Sequence, residues 1–258
     1  LHDALPILTT TEALVTNTIT LGASSAIGGT GQIRYNGVIS GNHQLTKTGS
    51  GTNYLSGNNT YSGVTVISNG LVRVNNNNGL GGTDSNTVVI SGAALEIRGV
   101  ISPEPVVLNG HGIDGTGALM NDFTTTPGQL SGTVNLASDS SIGAAGQLTL
   151  SGVVSGSGQL TKVGTGTNII SAQNSYSGLT IISNGVYRIS TTGGLGAASS
   201  GTRVRSGATL EYAGGAITYG AEPVTVGGTG VTNGGALRSV GSDIATLQGS
   251  FTNSADAT

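Results

Sequence analysis

Short runs in which aliphatic and polar residues alternate recur along the whole chain, each stopped after a few positions by Gly, Asn or Ser. Val72 and Val74 alternate with Leu71 and Arg73, Leu95 and Ile97 with Glu96 and Arg98, and Leu210 and Tyr212 with Glu211 and Ala213. Successive side chains of an extended strand point to opposite faces, so this pattern puts the aliphatic set in a core and the charged set in water. In the first half, strands are expected at 32–40, 52–56, 64–68, 71–74, 87–91, 94–98, 105–109 and 117–120. No helical period is evident. Many short strands with frequent turn residues predict an all-β repeat fold.

The strands belong to a longer unit. Residues 27–96 and 142–211 align without a gap at an offset of 115, with 38 identities in 70 positions. A long unit repeated in register means one supersecondary scaffold stacked on itself. Turns of about 20–25 residues, each carrying two or three strands, suit a parallel β-helix in which every strand pairs with its counterpart one coil on. About five coils of roughly 23 residues would fill the unit, and the usable residues would form a rod on the order of 50 Å long at ~4.8 Å per coil. A single coil buries too little apolar surface to offset the cost of ordering it, so the rod is expected to be stable only as an array. The expected division is 1–8, a segment foreign to the repeat; 9–258, a β-helical fragment with copies at about 18–132 and 133–249; and a third copy beginning at 250–258, which reads as part of a longer protein.

Composition narrows the function classes. Glycine is 46 of 258 residues and charged residues are only 8%, yet β-branched residues abound, which separates the chain from disordered segments. Net charge is −3 and the basic residues are scattered singly, so nucleic acid is not an expected partner. With no cysteine there is neither a disulfide framework nor a thiolate metal site.

The string Leu45-Thr46-Lys47-Thr48-Gly49-Ser50-Gly51-Thr52, continuing through Asn59, Tyr61-Ser62-Gly63 and Asn69-Gly70, resembles the passenger-associated transport repeat of bacterial autotransporters. It returns as Leu160-Thr161-Lys162, Gly164, Gly166, Asn174, Tyr176-Ser177-Gly178 and Asn184-Gly185. One departure follows the Gly-x-Gly, where Thr-Asn-Tyr-Leu and Thr-Asn-Ile-Ile replace a Thr-Leu alternation. The resemblance implies a right-handed parallel β-helix, exported by type V secretion and displayed outside a Gram-negative outer membrane through a C-terminal β-barrel of the same parent protein. It implies a non-catalytic stalk whose repeats support export and folding, with an adhesin that binds host or neighbouring-cell ligands, or self-associates, as the second reading.

The motif residues Leu45, Lys47, Gly49, Gly51, Asn59, Tyr61, Gly63 and Gly70, and Leu160, Lys162, Gly164, Gly166, Asn174, Tyr176, Gly178 and Gly185, are expected to be structural. Lys47 and Lys162 follow inward-looking leucines, and because an unpaired buried charge is costly the strand is expected to end first, leaving solvated turn lysines. Tyr61 and Tyr176 read as turn packing with no second aromatic nearby. Asn69-Gly70 and Asn184-Gly185 read as turns needing positive φ, and 75–78 as a loop.

No catalytic, cofactor or metal site is assigned. The stretch 109–114 faintly resembles a calcium nonapeptide, but its counterpart at 227–232 has lost the carboxylate. A polysaccharide lyase or hydrolase would need converging carboxylates and stacking aromatics; Glu96, Asp114, Asp122 and Asp139 form no cluster in sequence, Glu96 alone recurs, as Glu211, and aromatics are 3%.

Overall fold

The computed structural model describes residues 12–143, 145–214, 217–241 and 245–254; the segment 1–8 lies outside them. Parallel strands wind into a solenoid with three strand-bearing faces round a single core. One face holds an unbroken column of registered positions: Ala13, Ile33, Asn53, Val72, Leu95, Leu119, Ile142, Lys162, Ile182, Val204, Val226 and Asn253. Eleven steps lead from Ala13 to Asn253, about 22 residues per coil. At ~4.8 Å between strands the stack is roughly 53 Å long.

The backbone visits the faces in turn. Strands such as Leu45–Thr48, Thr65–Ile67, Thr87–Val89 and Val106–Gly110 form the first face. Thr52–Leu55, Gly70–Val74 and Ala93–Ile97 form the second. Ile101–Ser102, Gly128–Leu130 and Gln147–Leu150 form the third. Corners are cut by glycines, because the backbone of the adjoining coil passes where a Cβ would stand. At Gly63 a Cβ would lie 2.0 Å from the His43 carbonyl oxygen, and at Gly178 2.2 Å from that of Gly158. The core is one aliphatic spine in which Leu45, Leu55, Ile67, Val72, Leu95, Leu108, Leu119, Leu136, Ile142 and Leu160 are all buried.

The repeat and the coil are incommensurate. Lys47 stacks through Ile67, Val89, Leu108 and Leu136 to Gly156, which is five coils. Its counterpart Lys162 stands six residues past Gly156 and occupies the column of Asn53, Val72 and Ile142. Asn168, the counterpart of Asn53, has likewise moved to the third face, between Leu148 and Tyr187. The unit is therefore five coils and about a third of another, so the expectation of five even coils is corrected. The second copy is rotated one face onward about the rod. Excursions between the strands stretch some coils: one at Ile113–Gly115, with its counterpart at Val231–Asn233, and one across 121–127.

Two further expectations change. The strand expected over 32–40 is split into Gln32–Tyr35 and Ile39–Gly41, because Asn36 and Gly37 turn the corner between two faces. The outward charges are not all in water: Glu96 and Glu211 are fully buried. They stand in a cross-coil ladder. Arg34, Tyr54, Arg73 and Glu96 are successive registered positions, and Arg188, Glu211 and Arg238 repeat the theme one face on. Arg73 Nε lies 2.5 Å from Glu96, and Glu211 accepts from both Arg188 and Arg238. The guanidinium of Arg34 sits 4.3 Å from the Tyr54 ring centroid and that of Arg73 5.0 Å. The covering arginines compensate the desolvation of the carboxylates, which is what permits their burial.

Candidate functional site

The motif residues assemble into a polar thread inside the solenoid, built the same way in both copies. Strand Leu45–Thr48 points Leu45 and Lys47 inward, at 1% exposure each, and Leu160 and Lys162 are fully buried. The expectation of solvated turn lysines is thus overturned. The strand does not end before the lysine; the aliphatic stem lies in the core and the amine bends up to the corner, where backbone carbonyls replace water. Lys47 Nζ donates to the carbonyls of Thr48 at 2.8 Å, Gly49 at 2.6 Å and Asn69 at 2.9 Å. Lys162 Nζ donates to Val163 at 2.6 Å, Gly164 at 2.6 Å and Asn184 at 3.1 Å. Burial pushes Lys162 down to about 7 and lowers Lys47 too, while three carbonyl dipoles aimed at each amine favour its charged form.

The glycines of the motif make this cage possible. Gly49, Gly70, Gly164 and Gly185 have φ of 70°, 71°, 73° and 67°. A Cβ on Gly70 would lie 2.5 Å from both the Gly49 and Gly51 oxygens and 2.8 Å from Lys47 Nζ; on Gly185 it would meet Gly164 and Gly166 at the same 2.5 Å. The positive-φ turns read from Asn-Gly are present, and they form the wall of the lysine site.

One corner further on, Asn59 ties three coils together. Its side-chain oxygen accepts from the Ile39 N–H at 2.8 Å and its amide donates to the Gly79 carbonyl at 2.6 Å. Asn174 does the same for Val154 and Gly194, at 2.8 and 3.0 Å. Tyr61 and Tyr176 are wholly buried, their hydroxyls 2.7 and 2.6 Å from those of Thr65 and Thr180. Tyr176 does have an aromatic neighbour, the buried Tyr187, contrary to expectation.

The sequence reading missed the rest of the thread. Thr65 stacks on Thr87, and Thr180 on Thr202. Thr87 and Thr202 each donate at 3.0 Å to a buried glutamate, Glu104 and Glu222. Loss of hydration raises both carboxyls to about 7, opposed by the threonine hydroxyls. Glu104-Pro105 and Glu222-Pro223 recur at an offset of 118 rather than 115, so an ungapped alignment passes over them. The signal was a repeated Glu-Pro three residues out of phase.

The carboxylates weighed for catalysis are engaged in the architecture. Glu96 holds Arg73, Asp139 accepts from the Gln159 N–H at 2.9 Å, Asp122 from that of Ala145 at 3.4 Å, and Asp114 sits in the short turn Ile113–Gly115. Among the described residues no group of three metal-ligating side chains comes together.

The architecture is that of an elongated β-solenoid whose repeated motif supplies internal cross-ties. The passenger-associated transport repeat matches this protein twice, at residues 45–74 and 160–186, so the resemblance to autotransporter passengers stands. The sequence is 33% identical over 110 residues to the adhesin BmaC autotransporter of Brucella suis biovar 1 (strain 1330). That alignment covers 43% of this chain and 3% of the length of the relative. No solved structure matches.

Proposed function

We propose that this protein is a non-catalytic stalk segment of an autotransporter passenger. It is exported through a C-terminal outer-membrane β-barrel of its parent protein and displayed on the surface of a Gram-negative bacterium. The observation that carries this reading is the cross-tie of Asn59, which bonds the coil before it and the coil after it. A coil is complete only when its successor has folded onto it, so each coil added outside the cell locks the one before and opposes backsliding without a nucleotide. The matched repeats and the autotransporter relative support the same reading.

The decisive experiment substitutes Val72→Glu and Val74→Lys in the full-length protein. Burying two charges in the spine is expected to stall folding at that coil and to reduce surface display, as read by protease accessibility on intact cells. Undiminished display would count against export assisted by folding. The second reading, adhesion, is favoured by the adhesin name of the relative, and a glycan and matrix-protein array probed with the isolated rod would separate a binding surface from a plain stalk.

A further inference from the structure

Six Asn-Gly pairs occur in the sequence, at 36–37, 69–70, 78–79, 109–110, 184–185 and 233–234. Asn-Gly is the dipeptide most open to attack of the backbone on its own side chain, because glycine puts no Cβ in the way. The structure divides the six. In four, the glycine N–H is held by another acceptor: Gly37 by the Val15 carbonyl at 3.3 Å, Gly79 by Asn76 at 2.9 Å, Gly110 by Ser138 Oγ at 3.2 Å, and Gly234 by Val231 at 2.9 Å. In the two copies of the motif it is turned back on the preceding side chain: Gly70 N lies 2.7 Å from Asn69 Oδ1, and Gly185 N 2.7 Å from Asn184 Oδ1.

A second feature belongs to these two sites. The carbonyl of the peptide bond that contains the attacking nitrogen accepts from a buried lysine, Lys47 at 2.9 Å and Lys162 at 3.1 Å. A lysine N–H donated to that oxygen draws electron density from the peptide nitrogen and makes its N–H easier to deprotonate, which is electrophilic assistance to a nucleophile that already rests against the target amide. Asn69 and Asn184 are also exposed, so water reaches them.

We propose that Asn69 and Asn184 are sites of spontaneous self-modification, at which the protein turns its own asparagine into aspartate and isoaspartate while the other four pairs stay intact. The Gly70 nitrogen loses its proton and bonds to Asn69 Cγ. The bond between Cγ and Nδ2 breaks, ammonia departs with the proton, and a succinimide remains. Water then opens the ring at one carbonyl to give aspartate or at the other to give isoaspartate. The first product places a carboxylate beside a lysine whose acceptors are backbone carbonyls. The second adds a methylene to the backbone at the start of strand Gly70–Val74, or Gly185–Ile189, where it disturbs the register with the coils on either side. Lys47 and Lys162 act as positioning and polarising residues through the peptide carbonyl.

The test is peptide mapping by mass spectrometry, with enzymatic methyl labelling of isoaspartate, on the folded protein aged at neutral pH. Asn69 and Asn184 are expected to gain the mass of amide-to-acid conversion together and several-fold ahead of the other four, a ranking that collapses when the protein is aged in denaturant. Lys47→Met is expected to slow Asn69 and leave Asn184, in the same molecule, unchanged. If the six sites age alike in the folded protein, or Asn78 or Asn233 leads, the proposal is overturned. The wild-type comparison of folded with denatured protein decides the matter even where the variant does not fold.

Discussion

Asn58 and Asn59 are neighbours in sequence and opposites in structure, and replacing each with alanine tests the cross-tie directly. Asn58 is exposed and accepts one bond, from Asn78 at 2.9 Å; Asn59 is 3% exposed and joins Ile39 to Gly79. Asn59→Ala leaves a buried N–H and a buried C=O without partners. At about 1–3 kcal/mol for each orphaned group, the loss is roughly 2–6 kcal/mol, with about 3 kcal/mol as the working figure. Because opening in a solenoid is local, the suitable assay is native-state hydrogen exchange at the Ile39 amide. A loss of ~3 kcal/mol corresponds to exchange about 150-fold faster. Asn58→Ala should change it by less than about twofold, as expected of a surface substitution. If Asn59→Ala leaves Ile39 exchange within that same small factor, the cross-tie does not hold the coils, and the ordered-locking argument for export fails with it.

Lys47 and Lys162 are the only lysines in the sequence, and both are buried. The native protein should therefore resist ε-amine acylation and take up two labels only on unfolding; rapid native labelling would contradict the caged amines. Glu104 and Glu222 are raised from the usual carboxylate value to about 7, so the folded state holds protons that the unfolded state has released. Their stabilising contribution is complete below about pH 4.5 and is lost as pH rises through about 7. The paired Glu104→Gln and Glu222→Gln variant should flatten thermal stability across that window, and an unchanged slope would refute the assignment. Gly70→Ala should cost well over the ~1–2 kcal/mol of a left-handed backbone, because its Cβ meets two carbonyls at 2.5 Å. Gly92→Ala, at φ 86° with open space round the new Cβ, should cost only that backbone term; equal losses in denaturant titration would mean the close approach does not matter.

Coil length, parallel stacking and the inward set Val72, Val74, Leu95 and Ile97 were legible because period-2 alternation and a fixed repeat carry them directly. The destiny of Lys47 was not. A lysine two positions after an inward leucine reads as solvated unless one knows that the chain folds the carbonyls of the next two residues, Thr48 and Gly49, back over the amine and that the following coil brings the Asn69 carbonyl to the same point. The same holds for Glu96, whose burial depends on Arg73 in the preceding coil, and for Glu104 and Glu222, hidden by a three-residue change in loop length. Asn59 was picked out by the motif, yet nothing local distinguished it from Asn58.

The one-face advance between copies has a geometric corollary. Identical patches on successive units look out in three compass directions, and the same side is reached again only after about three units, some sixteen coils or roughly 77 Å along the axis. Two such rods laid flank to flank cannot zip unit against unit, because the match found at one level has swung away at the next. A long array of this kind is shielded from lateral bundling while offering its decoration in every direction around its axis.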